Sequence, residues 1–437
     1  GWDTGTTIVA PNPSANDHFG SSVSMSADGT KVIVGAYMED TVGTDAGAAY
    51  IFALSGGSWS QEAKIQSSDI GVGDMFGNAV SMSADGTKVI VGAQREGTGG
   101  NYAGAAYSFT LSGGSWSQQQ KIVSSDLAAG DNFGNAVSMS ADGAKIIVGA
   151  YTKAGGGAAY IFVPSGGLWS QQQKILSSDL ATGDYLGNSV SMSGDGTKVI
   201  VNGGNASYIY TYNGSSWGSE AKIVGSDVQA AHRFGQRHIN SDGTKVIVGS
   251  MGDDSGGTNS GAAYIFALSG GSWSQEAKIV ASDPEVDDRF SIAVSMSSDG
   301  TRVILAASYE DTGGTDAGSA YIFALSDGSW SQEAKIQSSE IQAGDFFGYS
   351  VSMSSDGTRV IVGAYYEDTG GSNAGAAYSF DYNPNTIYDS STQVFTATGT
   401  GIVSGSTVQL EGADGTLYNV VDATAPNAAG SQVTFKM

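Results

Sequence analysis

The sequence of 437 residues contains no cysteine, only six prolines and few basic side chains. Without cysteine there is no disulfide framework, no thiolate metal site and no cysteine nucleophile. The 19 basic and 43 acidic residues give a net charge of −24, which disfavours nucleic acid and anionic membranes as partners. No apolar run approaches the roughly 18 residues that cross a bilayer. We therefore expect neither nucleic-acid binding nor membrane insertion.

Seven tryptophans mark an internal repeat. An isoleucine stands six residues after each tryptophan, and a phenylalanine or leucine stands eleven residues after each isoleucine. An Asp-Gly pair and a tyrosine complete each copy, with a period of about 57 residues that shrinks to about 48 in the middle. The tryptophans are Trp2, Trp59, Trp116, Trp169, Trp217, Trp273 and Trp330.

Each copy has the pattern of four short strands and no helix. In the first copy, Val23–Ser26 alternates between apolar and polar residues, and Lys31–Gly35 is apolar on both faces. Asp28-Gly29 between them is a strong hairpin signal, and Ala48–Phe52 and Trp59–Ile65 complete the unit. Seven such units predict an all-β fold, a seven-bladed β-propeller. A solenoid would need atypical capping repeats, which the sequence lacks.

The two ends of the repeat array complement each other. The last copy lacks its fourth strand, because no tryptophan follows Tyr378 at the spacing of nine residues found in the others. Trp2–Ile8 is a spare fourth strand ahead of the first copy. Pairing Trp2–Ile8 with Tyr378–Asp381 would remove two open sheet edges. We predict a closed propeller over residues 1–382.

The motif Phe19-Gly20, Asp28-Gly29 and Gly35-Ala36-Tyr37 resembles the FG-GAP repeat of integrin α-subunit-like β-propellers. The resemblance extends over residues 1–382 and implies a seven-bladed propeller outside the cell that binds other molecules. Repeats of this type also resemble those of bacterial surface proteins and of phage virion structural proteins. Near-identical copies without disulfides fit these two groups better than an animal receptor.

The calcium loop that many repeats of this kind carry is reduced here to one acidic ligand. Its first and third positions are Ser24 and Ser26, and only Asp28 remains, whereas calcium takes about six to eight oxygens. We interpret Asp28-Gly29 as a tight turn and predict no metal and no cofactor. The aspartate two residues before the phenylalanine, such as Asp17, is interpreted as a cap of turn amides.

Differences between the copies mark candidate binding residues. The acidic loop between the second and third strands shrinks in the fourth copy, and the fifth copy carries a basic cluster beside it. Because guanidinium groups suit carboxylate and sulfate, we predict a notch there that binds an anionic or glycan group. Local drift compensated by neighbouring acids is the alternative. The predicted ligand-binding residues are Asn202, Asn205, His232, Arg233, Arg237, His238 and Arg289.

Residues 383–437 change in character. Asn383–Asn385 has the composition of a linker, and four segments with strand patterns follow it. They predict a small β-sandwich, immunoglobulin-like and incomplete, because the sequence stops at Met437 directly after a strand. The four segments are Gln393–Thr396, Thr407–Leu410, Leu417–Val421 and Gln432–Phe435.

These observations predict a non-enzymatic recognition or adhesion module, outside the cell or on a virion surface. It would bind a glycan or surface protein of a host or neighbouring cell through one propeller face, and other virion or surface-layer proteins are further candidate partners. The alternative is a purely structural decoration or spacer of a phage tail fibre, virion or bacterial surface assembly. No catalytic residue is predicted, because the acids recur symmetrically and no carboxylate pair is singled out.

Overall fold

The computed structural model describes residues 1–229 and 234–383, together with four short strands farther along the chain. It divides into two compact units, Thr4–Ser379 and a smaller one made of Gly1–Asp3 with Phe380–Met437. The described part of the chain contains strands and turns and no helix.

The unit Thr4–Ser379 consists of seven antiparallel four-stranded sheets, the blades, whose first strands contact one another around a central channel. The predicted seven-bladed β-propeller is thereby confirmed. The first strands are Phe19–Met25, Phe76–Met82, Val137–Met139, Val190–Met192, Phe234–Ile239, Ala293–Met296 and Ser350–Met353. The second strands are Lys31–Ala36, Lys88–Ala93, Ile146–Ala150, Lys198–Gly203, Lys245–Ser250, Arg302–Ala307 and Arg359–Ala364.

The third and fourth strands form the outer half of each blade. The third strands are Ala48–Ser55, Ala105–Ser112, Ala158–Ser165, Ala206–Tyr212, Ala262–Ser269, Ser319–Ser326 and Ala376–Asp381. The fourth strands of blades one to six are Ser58–Ile65, Ser115–Ile122, Leu168–Ile175, Trp217–Ile223, Ser272–Ile279 and Ser329–Ile336.

The fourth strand of blade seven is Thr6–Ile8, which pairs antiparallel with Ala377–Ser379. Trp2 forms a further bridge with Tyr382, matching the tryptophan pairing of the other blades, such as Trp59 with Leu54. The predicted closure by the N-terminal strand is confirmed. This fourth strand is short, with three residues compared with eight in blade one.

The second strands are apolar on both faces because each blade packs between its two neighbours. Ile33 in blade one is fully buried and belongs to the same cluster as Phe76 and Val80 of blade two. Such blade-to-blade clusters recur around the unit. The stability of the propeller therefore resides in the contacts between blades as much as in each sheet.

The hairpin between the first and second strands has the expected tight turn. The Asp28 carboxylate accepts hydrogen bonds from the Thr30 amide at 3.0 Å and from the Ser26 hydroxyl at 2.7 Å. Gly29 follows with a φ of 69°, which glycine adopts without strain. The predicted turn role of Asp28-Gly29 is confirmed.

Glycine follows the repeat phenylalanine because two backbones approach closely there. Gly20 has a φ of 91°, and a Cβ on it would lie 2.3 Å from the Ala376 carbonyl oxygen of blade seven. Gly35 faces the next blade in the same way, with the Gly77 carbonyl 2.0 Å from its virtual Cβ. The glycines of the motif are therefore needed for blade-to-blade packing.

Beyond residue 383, Thr386–Tyr388 pairs with Val394–Thr396, and Val408–Glu411 pairs with Leu417–Val420. Three of the four strands predicted there overlap these. The predicted strand Gln432–Phe435 lies outside the described residues, as does most of the predicted sandwich. The sandwich and the boundary at residues 382 and 383 stay predictions.

Candidate functional site

The first strands give the channel a nearly sevenfold wall. In six blades they carry the tripeptide Val-Ser-Met, and in blade five Arg237-His238-Ile239 takes its place. Each serine hydroxyl accepts a hydrogen bond from a backbone amide of the next blade, that of the residue directly after the equivalent serine position, as Ser24 does from Met82 at 3.0 Å. The same bond recurs at Ser81, Ser138, Ser191, Ser295 and Ser352. These bonds tie the blades together around the channel.

The channel widens at one end into a cavity of about 520 Å³. This end lies on the propeller face that carries the loops between second and third strands, and we call it the loop-face mouth. Its wall combines residues that begin the first strands with residues that follow the second strands. It is lined by Ser21, Tyr37, Met38, Met75, Asn78, Gln94, Arg95, Asn135, Tyr151, Asn188, Ser189, Gln236, Met251, Ile292 and Tyr349.

The amide side chains of the mouth fall into two groups. Asn78 and Asn135 donate to backbone carbonyls of the next blade, such as Asn78 Nδ2 to the Gly134 oxygen at 3.1 Å. The amides of Gln94, Asn188 and Gln236 have no hydrogen-bond partner among the residues that the structure describes, and Asn188 and Gln236 are exposed. These three amides are available to a ligand.

Opposite the amides, blades six, seven and one supply a run of contacting rings, which we call the aromatic arc. Tyr365 lies 4.1 Å from both Tyr349 and Tyr366, measured between ring centroids. Tyr366 lies 4.8 Å from His18, whose Nδ1 is 3.1 Å from the Tyr37 hydroxyl. The remaining members are Tyr309 and Phe346, 5.1 Å apart. Tyr37 and Tyr349 connect the arc to the mouth.

Tyr349, Tyr365 and His18 in the arc carry no charge at neutral pH. Burial raises the pKa of Tyr349 and, with its tyrosine neighbours, that of Tyr365, so both hydroxyls stay protonated at neutral pH. Burial also lowers the pKa of His18, although Asp45 acts against this. The imidazole is therefore neutral at pH 7 and joins the arc as an aromatic ring.

A sequence signal for this arc lies at the residue before the repeat phenylalanine or leucine, which differs between the copies. Arg233 and Arg289, which stand at this position, are in the predicted binding set. Two other residues at this position, His18 and Phe346, belong to the arc, and both have positive φ, 57° and 54°. Tyr37 and Tyr365 follow the second strand in adjacent blades. Aromatic residues at both positions in blades seven and one could have indicated the cluster.

Arg237, a predicted binding residue, is buried between blades four and five. It occupies the position of a valine in the other six blades, and 4% of its surface is exposed. Its Nε donates a 2.8 Å hydrogen bond to Ser207 Oγ, and Ser207 stands where the other blades have alanine. Burial lowers the pKa of Arg237 to about 9, so the guanidinium remains charged at pH 7. The Arg237 guanidinium therefore lies in the interface between blades four and five and not on an open surface.

His238 lies in the channel wall at the position of the repeat serine, and burial lowers its pKa to about 4. It is therefore neutral at pH 7. Together with buried Arg237, it does not form the open basic surface that the sequence predicted. His232 and Arg233 lie outside the described residues.

The other described members of the set lie at three different places, and Asn202 pairs across the sheet with Ser207, the hydrogen-bond partner of Arg237. Asn202 is buried, and its side-chain oxygen accepts from the Ser189 amide at 2.6 Å. Asn205 is exposed in the short turn before Ala206–Tyr212. The Arg289 guanidinium stacks 4.1 Å from the centre of the Tyr309 ring, at the end of the aromatic arc. The ligand-binding role of the seven residues as a set stays a prediction.

No group of three or more histidine, aspartate or glutamate side chains in the described ranges is placed to hold a metal ion. The aspartates before the repeat phenylalanine cap turns as expected, for example Asp17 Oδ2 with the Ser14 amide at 2.8 Å. Within the same residues, no helix is long and apolar enough to cross a membrane.

Comparison with protein families matches the FG-GAP repeat seven times. The matched residues are 2–52, 59–109, 116–162, 169–207, 217–266, 273–323 and 330–380. Comparison with curated proteins finds no match.

Among solved structures, the chain is similar to the periplasmic gluconolactonase PpgL of Pseudomonas aeruginosa. The identity is 15% and the TM-score 0.50, over 74% of this chain and 86% of that chain. The likeness shows the fold alone. It contradicts the prediction that the chain is not an enzyme, because a similar propeller is a gluconolactonase and the fold does not exclude catalysis.

Proposed function

We propose that the loop-face mouth of this chain, which belongs to the FG-GAP repeat family, binds a carbohydrate. The propeller is a scaffold, and what it binds depends on the individual side chains of its site. The observation that carries the proposal is the two-sided wall of the mouth. Free amides of Gln94, Asn188 and Gln236 lie on one side, and rings of the aromatic arc lie on the other.

Carbohydrates have the matching chemistry. A side-chain amide donates and accepts at once, which suits the adjacent hydroxyls of a sugar ring. The C–H groups of a pyranose form an apolar face that stacks on an aromatic ring, and tyrosine supplies such a surface at low entropic cost. A cavity of about 520 Å³ is within the usual range for small-ligand sites. Tyr37 and Tyr349 are the rings placed to stack.

The mouth lies on the loop face, which the sequence predicted as the binding face. A glycan on the surface of a host or neighbouring cell is the proposed partner, and a position outside the cell or on a virion is the location that such a partner requires. Both remain part of the proposal.

The test is a glycan array followed by calorimetry on the oligosaccharide that binds best. We expect Gln236→Ala and Tyr349→Leu each to weaken binding about tenfold or more, the effect of losing roughly 1.4 kcal/mol. Gln119→Ala is the matched control, because this exposed glutamine lies on the fourth strand of blade two, away from the mouth. Its affinity should equal that of the wild type.

Two outcomes would refute the proposal. If the folded protein binds no glycan on the array, the spacer role becomes the better interpretation. If a glycan binds but Gln236→Ala and Tyr349→Leu leave its affinity unchanged, the site lies elsewhere on the propeller. Loss of binding in Arg233→Ala alone would move the site to the notch predicted from the sequence.

A further inference from the structure

The loop-face mouth has no acidic side chain in its described wall, although the protein is strongly acidic. The chain carries 43 acidic and 19 basic residues, yet none of the described residues that line the mouth is an aspartate or a glutamate. Arg95 is the one lining residue among them that is charged at neutral pH. The described wall of the mouth therefore carries a positive charge, opposite in sign to the net charge of the chain.

The Arg95 guanidinium is positioned by an aromatic ring and is not neutralised. Its Cζ lies 5.2 Å from the centre of the Tyr102 ring, a cation–π contact that leaves the positive charge in place. The side chain is exposed, and within the ranges that the structure describes its N–H donors have no hydrogen-bond acceptor and no carboxylate partner. The guanidinium is therefore available to a ligand in the mouth.

The two acidic residues that flank Arg95 already have other partners. Glu96, the next residue in the chain, is buried and lies 2.9 Å from Lys121 Nζ. The backbone oxygen of Asp74 accepts from the Arg95 amide at 3.3 Å, but the Asp74 carboxylate accepts from the Gly71 amide at 2.6 Å. Both carboxylates are therefore engaged within the fold, and neither pairs with the guanidinium.

Arg95 lies in the blade next to Tyr37, one of the two rings placed to stack on a sugar. Arg95 and Tyr37 both follow the second strand of their blades and line the same mouth. Burial raises the pKa of the Tyr37 hydroxyl, whereas the Arg95 charge acts to lower it, so the two groups interact across the blade boundary. Asp45 also acts on Tyr37 but is not among the residues that line the mouth. With the free amide of Gln94, the mouth combines a ring, a guanidinium and an amide.

We propose that the loop-face mouth selects an acidic sugar, a hexuronic acid, whose carboxylate pairs with Arg95; this rests on the carbohydrate function proposed above. The carboxylate of a hexuronic acid projects from the edge of the pyranose ring, so the face of the ring can stack on Tyr37 while the carboxylate meets the guanidinium. A guanidinium donates two parallel hydrogen bonds to a planar carboxylate. The negative charge elsewhere on the chain repels anions, so the mouth should orient an acidic sugar as well as bind it.

Calorimetry on the full chain at pH 7.5 tests this with trisaccharides of galacturonate, glucuronate, mannuronate and guluronate, each as the acid and as its methyl ester. The ester keeps the sugar ring and removes only the charge. We expect the wild type to bind at least one of the acids about tenfold or more tighter than its own ester, the effect of a charge-assisted hydrogen bond.

The outcomes separate this inference from the proposed function. If every acid binds no better than its ester while a neutral glycan binds in the mouth, the acidic-sugar assignment is overturned and the carbohydrate function stands. If no sugar of any kind binds, both are overturned. A sulfated sugar that binds tighter than all four acids, through Arg95, would overturn the choice of a carboxylate.

Substitutions of Arg95 identify the group responsible. Arg95→Met introduces the residue that blade one has at this position, Met38, and should bind the acid and the ester with equal affinity. Arg95→Lys keeps the charge but not the planar fork, and should keep only part of the preference. Lys88→Met is the matched control, because it removes the same charge at the far end of the strand that Arg95 follows, outside the mouth.

The Lys88→Met protein should prefer the acid as strongly as the wild type does. An equal loss of preference in Lys88→Met and Arg95→Met would overturn the role of Arg95, because the net charge of the chain would then explain the effect. The comparison of acid and ester on the wild type decides the acidic-sugar assignment even if Arg95→Met does not fold.

Discussion

The pair Arg237 and Ser207 should behave as one unit between blades four and five. The other blades have valine and alanine at these positions, so the double substitution Arg237→Val/Ser207→Ala restores the common interface. Each single substitution instead leaves one polar group buried without the partner that it now has. The Arg237 Nε and the Ser207 Oγ are 2.8 Å apart, with 4% and 1% of the residues exposed.

The magnitudes follow from this burial. Ser207→Ala removes an acceptor from a buried guanidinium, and Arg237→Val leaves the Ser207 hydroxyl unpaired, each costing about 1–3 kcal/mol. Replacing a whole buried polar group by well-packed apolar residues is often neutral or stabilising. The double variant should therefore lie within about 1 kcal/mol of the wild type or above it. The coupling energy should exceed about 1 kcal/mol.

Equilibrium urea unfolding of the four proteins, followed by tryptophan fluorescence, measures these differences. A double variant as unstable as the sum of the single ones would refute the reasoning, because the two residues would then act independently. Anion or glycan binding that disappears in the well-folded double variant would show a ligand role for Arg237. Unchanged binding would confirm that the residue is structural.

Three further predictions concern closure, the turns and pH. Deleting residues 1–9 removes the fourth strand of blade seven together with the buried Ile8. The melting temperature should fall sharply, and an unchanged melting temperature would refute the closure by this strand. Asp28→Ala should cost about 1 kcal/mol in urea unfolding, since the turn loses its acceptor, and calorimetry should show no calcium site that depends on Asp28. Burial, aided by nearby acids, raises the pKa of Asp17 and Asp288 to about 6, so the folded state binds protons more tightly than the unfolded chain and stability should rise as the pH falls from about 6 to 4. Burial acts to raise the pKa of Asp28, but the hydrogen bonds from Thr30 and Ser26 outweigh it and lower the pKa. The stabilisation by the ionised Asp28 carboxylate should therefore be lost only below about pH 4. A urea midpoint that falls steadily from pH 7 to 4 would contradict the expected rise in stability.

The positions of the strands could be predicted from the sequence because seven copies repeat the same pattern of apolar residues and turns. The pattern of Lys31–Gly35 predicts a strand covered on both faces, and the structure buries residues 32–36 of it between two neighbouring blades. The closing strand could be predicted because its tryptophan register matches the other copies. Period, alternation and turn chemistry are local properties, and the propeller follows from them.

The binding surface could not be predicted in the same way, because it forms between blades. Gln94, Asn188 and Gln236 are far apart in the sequence. The circular arrangement of the blades brings them together at the loop-face mouth, opposite Tyr349. The burial of Arg237 likewise depends on the packing of blade four against blade five, which the sequence pattern does not reveal.

By itself the sequence determined the number of blades, the order of the strands and the closure, since these depend on periodic, local patterns. The tertiary structure decided which exceptions to the repeat are structural and which reach solvent. Arg237 enters an interface where Ser207 receives it, whereas Tyr349 reaches the channel mouth.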